Sequence, residues 1–241
     1  MNPQEVINDS RLLRLHGQIQ ASFELVETQL GHTEQYSHLI WQHQPIFWSN
    51  ISAGVCLLTR RCADDSNFIR QLWDNQEFIY SFHRQSSALP QSDKALKDIL
   101  QNEYAALLDE SHALHWIIRS SNGHPWGLLS LTDISRSSKK AEVLLGVLPD
   151  APLGLATAAM LVLFQLFFKA MKFNKLYSLI YKDNPRSLKS ALHLGFKIEG
   201  DLKQEIIDPK TGNLVDLIRT GLFAEDAFNA NNIRLMDRLL T

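Results

Sequence analysis

The stretch from residue 151 to residue 168 constrains this chain more than any other. It is almost wholly apolar and about as long as a short membrane span. Pro152, Gly154, Thr157 and Gln165 interrupt it, and the chain on both sides reads as strand-forming globular sequence. A helix buried on most of its sides fits that pattern better than a helix in lipid.

The flanks predict what surrounds this helix. On its N-terminal side, residues 55–60 read as a strand. Asp64 and Asp65 are N-cap candidates for a helix to about residue 82, and Ser92 or Asp93 starts a second to about residue 108. Residues 114–119 and 126–134 read as a hairpin around Ser121-Asn122-Gly123-His124, with a third strand at 141–148. The apolar helix itself is expected over 155–171. Beyond it come a strand at 176–181, a helix at 185–193 stopped by Gly195, strands at 197–207 and 214–222, and an amphipathic helix at 224–240. This order predicts a mixed α/β layer with a strand-helix-strand crossover near its middle.

Residues 1–52 differ in character. They hold five acidic residues, two basic ones, four histidines, Trp41 and Trp48. Leu12, Leu13, Leu15, Ile19, Phe23, Val26, Leu30, Leu39 and Ile40 recur at helical spacing, with Gly31 a break and Pro45 a stop. The domain reading is therefore a helical N-terminal extension over 1–52 and one domain over 53–241. The apolar stripe is expected to pack on that domain, a homodimer through the same stripe being the alternative. His38 and His43 lie five apart, a poor spacing for one helix face, so no metal is expected.

A formal charge of −2 gives no field to draw nucleic acid or anionic lipid. No nucleic-acid partner and no membrane partner are expected. Cys56 and Cys62 form no metal-like or disulfide framework, and the first residues lack the apolar core of a signal peptide. The expected compartment is the cytoplasm.

The strongest chemical signal lies at the entry to the apolar helix, where a buried strand passes through a short loop holding Gly154. A helix N-terminus offers unpaired N–H groups and the positive end of the macrodipole, which together suit a phosphate group. Further on, Asn184-Pro185-Arg186-Ser187 opens a helix that ends at Leu194-Gly195-Phe196. In this order, with Trp126-Gly127, the strand Ala141 to Val147 and Gly154-Leu155-Ala156-Thr157, the region from about residue 57 to 223 resembles the GNAT acyltransferase family. It is most similar to the RimJ/RimL-type branch, which acetylates protein N-termini and small amines. The resemblance departs at Ala151, where the family's loop usually has Arg or Gln, at Pro152, at Ala156 for a glycine, and at Ala191 for a tyrosine.

The resemblance implies a fold, a co-substrate and a site. The fold would be a GNAT-like mixed, mostly antiparallel sheet flanked by helices. The co-substrate would be acetyl-CoA or another acyl-CoA, and the acceptor a small-molecule amine or a protein N-terminus. Backbone groups of Leu145, Val147 and Leu148 would hold the thioester and pantetheine. Gly154, Leu155, Ala156 and Thr157 would hold the pyrophosphate, and Asn184 would bond the pantetheine arm. Glu142 would be the base, with Glu205 in reserve, and Ser187 the acid. A degenerate GNAT domain that binds CoA or a protein without catalysis is the alternative.

Overall fold

The computed structural model describes residues 2–31 and 36–241. Eight strands form one sheet: β1 (Ile51–Ala53), β2 (Cys56–Arg60), β3 (Leu114–Ser120), β4 (Pro125–Ser135), β5 (Lys140–Val147), β6 (Lys175–Tyr181), β7 (Lys197–Ile207) and β8 (Leu214–Phe223). Their spatial order is β1-β2-β3-β4-β5-β6-β8-β7. Neighbours pair antiparallel except β5 and β6, which are parallel. Before the sheet come α1 (Pro3–Leu15), α2 (Ile19–Leu30), α3 (Ser37–Gln42) and a 3-10 turn at Pro45–Phe47. Between β2 and β3 come α4 (Ser66–Asp74), α5 (Gln76–Phe82), α6 (Asp93–Ala105) and α7 (Leu108–Ser111). Helix α8 (Leu155–Phe164) makes the crossover from β5 to β6, and α9 (Pro185–His193) joins β6 to β7. The chain closes with α10 (Ala224–Ala227) and α11 (Ala230–Leu239).

The apolar run is the inner helix of this fold. Ala158, Ala159, Leu161, Leu163 and Phe164 of α8 are fully buried. The helix packs on β2, β3 and β5 and also touches α11, which is why no polar face was needed in its sequence. Removing a ring here, as in Phe164→Ala, would cost about 3–5 kcal/mol. Among the described residues no helix is long and apolar enough to cross a membrane.

The N-terminal helices dock through a buried polar knot. Arg14, 1% exposed, donates to Ser10 Oγ at 2.7 Å and to the Ala105 carbonyl at the end of α6, also at 2.7 Å. It lies 2.7 Å from His43 Nδ1, and its guanidinium sits over the Trp48 ring. Arg60 of β2 also faces Trp48. Trp41 stacks on Phe173 just beyond the end of the crossover helix. Both N-terminal tryptophans therefore anchor this segment on the sheet's core, and His43 is an internal hydrogen-bonding group. His32 and the side chains of His38 and Leu39 lie outside the described residues.

Several expected elements divide further. The first helix breaks at Gly17, whose φ of 73° suits glycine, as well as at Gly31. The expected helix over 64–82 is two helices, because Asn75 leaves the helix and caps α5 by accepting the Phe78 N–H at 2.9 Å. The helix after β5 widens into a π-type turn at Gln165–Ala170, and the last helix is interrupted at Phe228 and Asn229. β1, three residues long and crossing the expected boundary at residue 52, was not foreseen.

Candidate functional site

Parallel strands β5 and β6 pair only at their starts. The register runs from Lys140 opposite Lys175 to Glu142 opposite Tyr177 and then ends, although β5 continues to Val147 and β6 to Tyr181. A fork therefore opens immediately after Glu142. On its other edge β5 stays bonded to β4, where the Leu148 N–H donates to the Trp126 carbonyl at 2.8 Å. Antiparallel pairing alternates, so the amides of Gly146 and Leu144 also point to β4, while those of Leu145 and Val147 point into the fork. The sequence expectation grouped Leu148 with these two, but its amide is already engaged.

The loop beyond β5 supplies the second half. Gly154 caps α8 with φ 88°, a conformation an L side chain rarely adopts, and a Cβ there would stand 3.3 Å from Leu239 Cδ2. Among the described residues, the amides of Leu153, Gly154, Ala156 and Thr157 meet no acceptor, whereas the Leu155 N–H closes the turn onto the Pro152 carbonyl. Leu155 itself is a core side chain, 1% exposed. Four free amides at the positive end of a helix make this turn a candidate anion cradle. Pro152 adds no donor.

Glu142 stands at the crotch of the fork. Its carboxylate accepts from Thr132 Oγ1 at 3.3 Å. Burial pushes its pKa up, and the Thr132 hydroxyl and the Leu179 amide on β6 offset this only in part. A carboxyl raised by burial in a crevice is a better proton acceptor than a solvated one. Beside it, the Tyr177 hydroxyl donates to Asp133 at 2.5 Å, and Arg219 covers the Tyr177 ring.

Asn184 caps α9 by accepting the Ser187 N–H at 3.1 Å. Ser187 itself is exposed on the first turn of that helix. Ala191 packs against the core and offers no hydroxyl. Glu205 is exposed within the bulged part of β7, next to Gln204 with φ 53°. The structure thus gathers Glu142, Leu145 and Val147 at the fork and Gly154, Ala156 and Thr157 at the cradle, with Asn184 and Ser187 beyond the open end of β6.

On the sheet face opposite α8 lies a cavity of about 470 Å³. Its floor carries His115, Leu128, Ser130, Thr132 and Leu144, and its walls come from α4, α5, α6 and the loop after α5. His115 Nδ1 lies 2.8 Å from Ser130 Oγ. Burial holds the His115 pKa well below its ordinary value, so the ring is neutral. Arg84 ties the loop after α5 to the far end of the fork. Its guanidinium is clamped between the Tyr80 and Tyr181 rings and bonds Asp183 at 2.6 and 3.0 Å and Asp208 at 3.1 Å.

This arrangement places a forked pair of parallel strands beside a free-amide cradle, with a cavity on the opposite face. The acetyltransferase (GNAT) domain family matches residues 56–197, more than half of the chain. The chain belongs to the GNAT acetyltransferase family. Among solved structures it is similar to the spermidine N-acetyltransferase from Vibrio cholerae in complex with CoA and spermine. That likeness has 19% identity over 72% of this chain and 98% of the other, with a TM-score of 0.61. Mutant forms of the spermidine/spermine N-acetyltransferase SpeG from the same organism match at 20% identity over 72% and 96% of the two chains, with a TM-score of 0.59. No curated protein matches the sequence. At these identities the likeness speaks for the fold of the GNAT domain.

Within that domain, sequence reasoning missed Tyr177, the His115–Ser130 pair and the partners of Arg84. The partners of Arg84 lie about one hundred residues away or more, at Asp183 and Asp208. The His115–Ser130 pair did carry a signal: the two residues sit opposite one another in the hairpin register.

Proposed function

We propose that this chain is an N-acyltransferase that moves an acetyl or other acyl group from acyl-CoA to a primary amine of a small molecule or protein N-terminus. The observation that carries this reading is the fork that opens just after Glu142, set beside the amide cradle at Gly154. The cradle suits the pyrophosphate, and the edge amides of Leu145 and Val147 suit the pantetheine and the thioester oxygen. Asn184 keeps its Nδ2 group free of the cap and available to the pantetheine arm. Acyl-CoA supplies the activated carbonyl. The chain's own residues bind it, exclude water and move protons.

The amine must lose a proton before it can attack. An alkylamine with pKa near that of lysine, about 10.4, is mostly charged at neutral pH. Glu142, held up by burial, takes that proton directly or through water along Thr132. A thiol resembling free cysteine, pKa about 8.5, leaves as thiolate without great cost, so Ser187 is the lesser contributor. The Asn184–Ser187 opening and Leu194-Gly195-Phe196 support placement in the RimJ/RimL-type branch.

The test is free-thiol release from acetyl-CoA across a panel of amines, with a thermal-shift titration beside it. Amine-dependent thiol release supports the reading, and its absence with every amine contradicts it. Ala191, half-buried against the core where the family resemblance expects a tyrosine, favours one second reading, a CoA-binding module without catalysis. That reading predicts a CoA thermal shift with no thiol release.

A further inference from the structure

The 470 Å³ cavity has a chemistry of its own. It falls at the small end of the range for ligand sites, roughly 300–1,000 Å³. Ile69, Phe82, Leu96, Leu100, Leu128 and Leu144 make its walls and floor apolar. Glu103 is the one carboxylate on its lining, and Arg61 already neutralises it at 2.5 Å. The two lining histidines, His83 and His115, are both pushed toward neutrality by burial. The cavity therefore offers no unpaired negative charge. An ammonium group lodged deep inside would lose its water and gain no counter-ion.

The polar groups lie along the floor and lead in one direction. His115 and Ser130 bond each other, and Thr132, next on the same face of β4, donates to Glu142 at the fork. An occupant with one amino group could seat its apolar body among the leucines and direct the amine past Thr132 to Glu142. A polyamine could not, because its second and third ammonium groups would lie against the apolar walls. Resting on the acyltransferase reading above, we infer that the acceptor is a monoamine on an apolar or aromatic body, held in this cavity, and not a polyamine.

The experiment uses the full chain and three probes, 2-phenylethylamine, hexylamine and spermidine. Calorimetric titration of each amine, in the absence of acyl-CoA, reads the cavity independently of transfer. Thiol release from acetyl-CoA then reads transfer. The inference expects 2-phenylethylamine and hexylamine to bind about tenfold or more tightly than spermidine, with the same order in kcat/KM. Ala88→Trp, on the exposed rim, should weaken both apolar amines by about tenfold while leaving the CoA thermal shift unchanged. Leu144→Phe, which fills the floor, should do the same and guards against a rim variant that the loop absorbs. Tight spermidine binding that matches or exceeds the apolar amines overturns the inference, as does indifference of all three amines to both variants. Apolar amine binding without thiol release would keep the cavity's preference for a monoamine, sink the acyltransferase reading and remove that amine's role as acceptor.

Discussion

The two faces of the central sheet are built to opposite rules. Under α8, Ala141, Val143, Leu161, Phe164 and Phe167 are buried together in one apolar cluster. On the other face, the same strands present His115, Ser130, Thr132, Glu142 and Tyr177, and α4 to α6 cover them incompletely, leaving the cavity. The apolar face holds β5 and β6 together where they pair. The polar face begins its chemistry where they part. A sheet tightly packed on both faces would have no fork to open, and a sheet loose on both would not hold Glu142 in place.

The sharpest break in this comparison comes at the junction of the two faces. Gly154→Glu should abolish any thermal shift with CoA, because the side chain is strained by the φ of 88°, meets Leu239 and sets a negative charge beside the cradle. A retained shift at millimolar CoA would move the anion site elsewhere.

A second test addresses the N-terminal support of the polar face. Arg14→Met removes the donors that join α1 to His43 and to the end of α6, the helix that walls the cavity. The loss should be about 3 kcal/mol in denaturant unfolding. An unchanged midpoint would show that the knot is decoration.

Acid should act on the knot through His43 and on the cavity floor through His115. Burial depresses the His43 pKa to about 3, and it depresses His115 as well. Unfolded histidines titrate near 6.5. Below that value the unfolded chain binds protons that the folded chain refuses, so the stability both residues contribute above pH 6.5 declines as pH falls toward their folded values. The slope reaches about 1.4 kcal/mol per pH unit for each histidine. Glu142 and Asp65, raised by burial, work in the opposite sense and blunt the fall. His43→Gln should flatten the dependence between pH 6.5 and 5, and an unaltered slope would contradict the assignment.

The smallest effect belongs to Ser187→Ala. This residue is exposed and its N–H is already satisfied by Asn184, so kcat/KM should fall less than about tenfold. A hundredfold loss would restore Ser187 as the principal acid.

The two faces also differ in how far the sequence revealed them. The apolar run, the buried strand before it and Gly154 announced the crossover and the turn that enters it, because burial and backbone conformation leave local marks. The fork left no such mark, since nothing in residues 141–148 says where pairing with residues 175–181 stops. Leu148 was misplaced for that reason: whether an amide faces β4 or the fork depends on register. The break at Asn75 had a local sign, a capping residue inside an amphipathic stretch, which the hydrophobic period outweighed. The cavity and the Arg84 clamp had no such sign. They arise where segments distant in the chain meet, and only the folded sheet brings Phe82, Leu100 and Leu144 around one space.

The measurement that bears most directly on the account is the ratio of kcat/KM between the parent chain and Glu142→Gln from pH 7 to pH 10, with acetyl-CoA and a preferred amine. If Glu142 removes the amine's proton at the mouth of the fork, the ratio should be roughly a hundredfold or more at pH 7 and shrink as the free amine becomes abundant. Full activity of Glu142→Gln at pH 7 would remove Glu142 from the reaction, separate the fork from the proton transfer and make Glu205 the next residue to test.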